Sequence, residues 1–275
     1  MTETCRSCSN PLILNLDPED SGDEAQEPST VPDDLHLPCG CHFHWQCIMD
    51  EATSITATLT CPSCNSYLPP NTAGGSSSSS SQPTAAPQIL TTYLNEGGLQ
   101  SDLDIFPDLR EEAFLTTHPA ARPARALHSM VAEGDVQGII SLLSDVEQGG
   151  GGDDDDEAEG EEGKQEQHMT PSQLLTWRDP LNGGRTALHV ALEEQQEEVV
   201  WLLLWMGSGV GRETFPPVVV QAAEGGGLPR GVVGPGEDVR FVRDEAGRAA
   251  EDVCMQLGPP WDRMVEGGLF MAGLS

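Results

Sequence analysis

Positive charge is scarce in this chain: Lys and Arg total 13 against 45 Asp and Glu, giving a formal net charge of -32 at pH 7. A surface of that sign repels phosphate backbones and anionic lipid, so neither nucleic acid nor a membrane is an expected partner. Long apolar runs are also missing. The longest, Val199 to Met206, is far too short to span a bilayer, and no basic apolar leader opens the chain. Cytoplasm or nucleus is therefore the expected compartment, where thiols stay reduced. No Ser-His-Asp or Cys-His arrangement suggests a nucleophile. Beyond residue 64 there is one cysteine, Cys254, in an apparent helical segment where it reads as buried packing.

With 30 glycines, 21 prolines and long polar tracts, several short ordered units fit better than one large core. The tracts suggest the divisions. LDPEDSGDEAQEPSTVPDD lies in a long acidic internal loop, 9–38, of an amino-terminal module covering 1–68. A disordered Ser/Pro linker follows at 69–87, and scattered apolar residues at 88–118 predict one or two short helices, or a cap, packed on the domain that follows. Residues 119–275 form that domain, with insertions at 149–170, which holds GGGGDDDDEAEGEEGKQEQ, and at 208–243. The acidic insertion reads as a solvated charged loop.

Seven of the eight cysteines fall within the first 64 residues. They read Cys5-x2-Cys8, Cys39-x-Cys41-x2-His44-x2-Cys47 and Cys61-x2-Cys64, four ligand pairs that complete two four-ligand zinc sites. Consecutive pairs or alternate pairs would satisfy the count equally. Four protein ligands per ion leave no position for an activated water, so the expected cofactor is two structural Zn2+. Arg6 is the only permanent cation within the cluster, which argues again against a nucleic-acid finger. Leu37, Phe43, Ile48 and Leu59 are the expected small core, with Trp45 covering it or facing a partner. His42 competes with Cys41 as a ligand.

The string HLPCGCHFHWQCI, flanked by CRSC and TCPSC, resembles the RING finger family over about residues 5–67. The resemblance implies a cross-brace, in which Cys5, Cys8, His44 and Cys47 hold one zinc while Cys39, Cys41, Cys61 and Cys64 hold the other. It favours Cys41 over His42, because Cys-x-Cys-x2-His fits the family spacing. It further implies a ubiquitin ligase that binds a ubiquitin-charged conjugating enzyme and orients its thioester, with no covalent intermediate on the RING. Arg6, Ser7, Leu59, Pro62 and Asn65 are then the contacts to the conjugating enzyme. Ser7 stands where an aliphatic residue is usual, Asn65 where active members often carry a basic one, and no tryptophan lies between Cys47 and Cys61.

GRTALHVALEEQQEEVVWLLLWMG, from Gly184 to Gly207, predicts two short amphipathic helices. Thr186 is placed to stabilise the first turn and His189 to bond back into it. With Leu188 and Ala191 these residues resemble an ankyrin repeat. Weaker copies surround Leu127-His128 and Gly247 to Cys254, giving repeats at about 122–148, 179–210 and 244–271. Comparable positions stand about 60 residues apart, not the usual 33, and the insertions fill the excess. Matching positions give His128 and His189 a structural role in preference to a metal pair. The implied fold is an all-α ankyrin-repeat solenoid that binds proteins. The combined expectation is a RING-type ubiquitin ligase whose ankyrin region recruits the substrate. The alternatives are a nonenzymatic zinc-containing adaptor or a partner subunit of a RING heterodimer.

Overall fold

A computed structural model describes residues 4–16, 29–69, 87–148, 169–231, 233–234 and 236–271. Most of the acidic stretch of the internal loop, the Ser/Pro linker and the acidic insertion lies outside the described residues. The chain divides into two compact units, Met1–His118 and Pro119–Ser275.

In the first unit β1 (Ile13–Leu16) pairs antiparallel with β2 (Ser29–Pro32). The span 9–38, expected to be a loop, thus closes through strands at both ends and continues into β3 (Asp34–His36). Ile13 and Leu14 remain 43% and 49% exposed, so backbone pairing and not burial holds that ladder. β4 (His42–Phe43) follows, then helices α1 (Trp45–Met49) and α2 (Ala52–Thr58).

Residues 88–118 depart most from expectation. They form strands β5 (Leu90–Asn95) and β6 (Gly98–Asp104) and one helix, α3 (Phe106–Thr117), and they belong to the zinc-bearing unit. The run Leu-Thr-Thr-Tyr-Leu favours the pleated state, and the Glu96-Gly97 turn followed by Gly98 at φ 106° reverses the chain. β5 then pairs with β3, giving a sheet in the order β4-β3-β5-β6, and α3 packs against α2. These additions supply apolar surface that a metal knuckle lacks: Ile89, Ile105 and Leu109 are fully buried with Leu35, Leu37, Phe43, Ile48 and Ile55. Leu59 is only half-buried, because at φ 56° it is the left-handed residue that stops α2.

A buried carboxylate joins the zinc-bearing segment to the β5–β6 hairpin. Asp33, 2% exposed, accepts the backbone N–H of Trp45 at 3.1 Å and the Tyr93 hydroxyl at 2.9 Å. The Trp45 and Tyr93 rings lie 5.2 Å apart, so the hairpin covers Trp45.

The second unit is helical. Three helix pairs, α4 (Arg122–Glu133) with α5 (Val136–Glu147), α7 (Ala187–Glu193) with α8 (Glu197–Gly207), and α10 (Ala250–Leu257) with α11 (Asp262–Glu266), stack through α4, α7 and α10. A short helix, α6 (Pro171–Thr176), and α9 (Pro217–Gly225) complete the described set. α8 is apolar nearly all round and correspondingly buried, from Val199 to Trp205 apart from half-buried Trp201. Leu127, Leu188 and Ala191 lie in the same core, as does Cys254. The insertion 208–243 is more than spacer. It contains α9 and places Phe215, Val220, Ala223 and Val239 in the core. Phe215 meets the rings of Trp205 and Trp201 at 5.3 and 6.0 Å, and Arg230 lies 5.0 Å over both Trp205 and Phe215.

Turn-to-turn hydrogen bonds stitch the stack. The His189 Nε2–H donates to the Arg248 carbonyl at 2.9 Å while its Nδ1 accepts from the Thr186 hydroxyl at 2.8 Å. Gln196 Nε2 donates to the Ala132 carbonyl at 2.9 Å, and Glu245 N to that of Gly183 at 2.9 Å. Asp179, fully buried, receives the Arg125 guanidinium and the Leu181 N–H.

His128 is the exception. It is 4% exposed, its ring meets Trp177 edge-on at 5.2 Å, and neither ring nitrogen has a hydrogen-bond partner among the described residues. Burial first, then Arg125 and His189, push its pKa down to about 4.

Two predictions follow from this packing. Asp33→Ala leaves the Trp45 N–H and the Tyr93 hydroxyl without their acceptor and lowers stability by about 2 kcal/mol, read from urea unfolding of the zinc-loaded chain. For His128, the folded pKa of about 4 lies below its ordinary 6.5, so the unfolded chain binds the extra proton between those values. Stability is therefore intact above pH 6.5 and falls as pH drops toward 4, by up to ~3 kcal/mol from this group. His128→Phe flattens that slope. Tryptophan fluorescence reads it, since four of the five tryptophans, Trp177, Trp201, Trp205 and Trp261, belong to this unit.

Candidate metal centres

The two Cys-x2-Cys knuckles are near copies of one turn. In the first, Cys5 N–H donates to the Asn10 carbonyl and the Cys5 carbonyl accepts Ser9 N–H, both at 2.9 Å, with Ser9 at φ 64°. In the second, Cys61 N–H donates to the Ser66 carbonyl and the Cys61 carbonyl accepts Asn65 N–H, again both at 2.9 Å, with Asn65 at φ 58°. An isolated bridge closes each, Thr4 to Pro11 and Thr60 to Tyr67. Between them, Cys39 and Cys41 flank Gly40, whose φ of 85° makes the tight turn joining β3 to β4. His44 precedes α1 and Cys47 sits within it, three residues on, so both project to one side of the helix start.

Tertiary structure gathers these turns into two clusters. Cys5, Cys8, His44 and Cys47 form one, and Cys39, Cys41, Cys61 and Cys64 the other; within each, the ligand atoms all lie within 4.8 Å of one another. The pairing alternates along the chain, which makes the module a cross-brace. His42 stands outside both groups. Its Nδ1 lies 2.7 Å from Asp34 Oδ1 and its ring stacks on His36 at 4.4 Å.

The donor chemistry fits zinc. His44 Nε2–H donates to the Pro11 carbonyl at 2.9 Å, which fixes the tautomer and leaves the Nδ1 lone pair facing sulfur, 3.3 Å from Cys8 Sγ and 3.8 Å from Cys47 Sγ. A tetrahedral ion at about 2.3 Å from sulfur and about 2.0 Å from nitrogen places such donors roughly 3.5 Å apart. Cys5 Sγ also receives the N–H groups of Ser7 at 3.4 Å and His44 at 3.5 Å.

Without a cation the thiols are in conflict. Burial would raise Cys5, but the N–H groups of Cys8, His44 and Ser7 prevail and hold it at about 6. Burial pushes Cys39 up to about 12, and burial with the neighbouring Cys5 and Cys8 does the same to Cys47. Ser66 holds exposed Cys64 at about 6. A divalent cation resolves the mixture by favouring the thiolate form of every ligand at once. Both sites are structural Zn2+ sites with four protein donors each.

Of the positions expected to touch a conjugating enzyme, Arg6, Ser7 and Asn65 are exposed while Leu59 and Pro62 are half-buried. Arg6 N–H donates to the His42 carbonyl at 2.9 Å, anchoring the first knuckle to β4. The supporting residues Pro11, Asp33, Asp34 and Tyr93 were not anticipated. Asp33 and Asp34 close an acidic run whose composition does not distinguish one buried carboxylate from its solvated neighbours. Comparison of the chain with protein-family models, with curated proteins and with solved structures finds no match. Among the described residues no helix is long and apolar enough to cross a membrane.

Metal analysis checks the ligand sets. The wild-type chain carries two zinc ions, Cys41→Ser loses the ion of its own cluster, and His42→Ala keeps both. Because Cys39 and Cys47 hold protons at neutral pH without metal, zinc binding releases protons and tightens as pH rises. Calorimetry in buffers of different ionisation enthalpy measures that release.

Proposed function

We propose that the chain is a RING-type ubiquitin ligase in which the zinc module binds a ubiquitin-charged conjugating enzyme and the helical unit recruits the protein to be modified. The alternating arrangement of the two Cys/His clusters carries this reading, because interleaving holds the two knuckles in one rigid frame. On that frame the exposed Arg6, Ser7 and Asn65 and the half-buried Pro62 and Leu59 form the docking surface. The module contributes no nucleophile. It restrains the thioester of the bound enzyme so that an incoming amine attacks in line, an effect of orientation.

The helical unit is read as three divergent ankyrin repeats. Supporting this are the stacked helix pairs, the Thr186–His189 contact at the start of α7 and its link to the Arg248 carbonyl about 60 residues downstream. Asp244 accepts Arg248 N–H at 2.8 Å, closing a turn before α10 as Asp179 and Arg185 close one before α7. Such stacks bind proteins through turn tips and helix faces.

A nonenzymatic adaptor is the second reading, favoured by the character of α2. Its exposed residues Thr53, Ser54, Ala57 and Thr58 are small or polar, with no aromatic anchor for an enzyme partner. Discharge of a ubiquitin-charged conjugating enzyme onto free lysine separates the two. The ligase accelerates discharge with at least one enzyme of a panel. Pro62→Ala slows it roughly tenfold, the ~1.4 kcal/mol of one lost apolar contact, while zinc content stays at two ions. No acceleration with any enzyme, alone or with a partner RING added, leaves the adaptor.

A further inference from the structure

The chain contains twelve arginines but a single lysine, Lys164. Lys164 lies outside the described residues, so no ε-amino group belongs to any described element of either unit. Lysine is ordinarily among the commonest residues, and the scarcity of cations here falls far more heavily on it than on arginine.

Bonding geometry accounts for some of the arginines. Arg240 meets Asp238 through two nitrogens, at 2.9 and 2.6 Å, and donates to the Leu269 carbonyl at 2.7 Å. Arg248 reaches Asp244 at 2.7 Å and Glu193 at 3.0 Å. A lysine has a single point of attachment and cannot reproduce such forks. Arg6, Arg110 and Arg263 are different. All three are exposed, and none holds a carboxylate among the described residues. Arg110 lies in α3 and Arg263 in α11, where lysine has the same helix propensity as arginine and keeps the charge. Neither folding nor electrostatics distinguishes the two residues there. Reactivity does. A lysine amine releases a proton and attacks carbonyl carbon, whereas a guanidinium stays protonated and does not.

We propose that the chain is built to be a poor acceptor of ubiquitin, so that transfer at its zinc module goes to a recruited partner and not to the chain itself. The proposal rests on the ligase reading above. In the transfer, an ε-amine attacks the thioester carbonyl of the charged conjugating enzyme. The C–S bond breaks, an isopeptide C–N bond forms, and the enzyme's thiol leaves with the proton the amine gives up. A surface bearing guanidinium in place of amine offers no nucleophile for the first of these events, even where it lies beside the bound thioester.

The test uses the full, zinc-loaded chain carrying Lys164→Arg, with and without Arg110→Lys and Arg263→Lys. These changes conserve charge and avoid both the metal ligands and the docking surface; zinc content and circular dichroism confirm an unaltered fold. Each chain is incubated with activating enzyme, a panel of conjugating enzymes, ubiquitin and ATP. Conjugates on the chain are mapped by mass spectrometry, and discharge onto free lysine is followed in the same reactions. The expected result is no isopeptide conjugate on Lys164→Arg, conjugates at positions 110 or 263 once lysine is present, and equal discharge rates. If discharge proceeds but the introduced lysines stay unmodified, or if the lysine-free chain is modified as heavily at other side chains, the proposal is overturned. If no enzyme discharges, the ligase reading fails by itself. A second arm still reads acceptor quality: in a cell extract with its own ligases and proteasomes, the lysine-bearing chain must disappear faster than Lys164→Arg. Equal lifetimes there overturn the proposal.

Discussion

Alternation of ligand pairs between two clusters is the constraint on which the amino-terminal unit depends. Cys41 and His44 stand three residues apart yet serve different clusters, so the short strand β4 between them is held from both sides. The first cluster ties the knuckle at Cys5 and Cys8 to α1, and the second ties the Gly40 turn to the knuckle at Cys61 and Cys64. A module this small buries too little apolar surface to fold firmly alone, and the metal supplies the missing free energy. Its thiols cannot all ionise side by side without a cation, so metal binding and the stability of the unit are coupled.

Around that brace the chain adds a conventional core. The β5–β6 hairpin extends the sheet, α3 covers α2, and Asp33 pins Trp45 and Tyr93 together. These elements bury the apolar side chains of the module, while Arg6, Ser7 and Asn65 on its knuckles stay exposed. The helical unit uses a different device. Its buried polar groups are satisfied within and between turns: Thr186 bonds His189, His189 reaches the Arg248 carbonyl, Asp179 takes the Arg125 guanidinium and Asp244 takes Arg248, so that the stack gains hydrogen bonds as well as apolar contact. His128 is buried without such bonds and is one acid-sensitive point of the unit.

Scarcity of lysine gives the acidic composition a second meaning. Cations are kept where arginine forks bind carboxylates, and they remain arginine even where nothing in the fold requires it. For a protein read as directing ubiquitin transfer, removing amines from its own surface separates the agent of the reaction from its substrate without any change in geometry.

Ligand identity was legible in the sequence because zinc binding depends on side-chain chemistry and short spacings, and a Cys-x2-Cys knuckle is a local object. The helix pair at 184–207 was legible for the same reason, through its apolar period. What escaped were features set by distant partners. Strand β5 becomes a strand by pairing with β3 more than fifty residues away, Asp33 is buried only because Trp45 and Tyr93 meet over it, and Phe215 enters the core from a segment whose glycines and prolines suggested a loop. The sequence by itself determined how many metal ions the chain holds and which residue types hold them. Which pairs share an ion, and that Cys41 and not His42 is a ligand, followed from the family resemblance and not from the count, and the two clusters agree with it. Tertiary structure alone decided that residues 88–118 complete the zinc-bearing unit, since that depends on contacts between segments that local spacing does not encode.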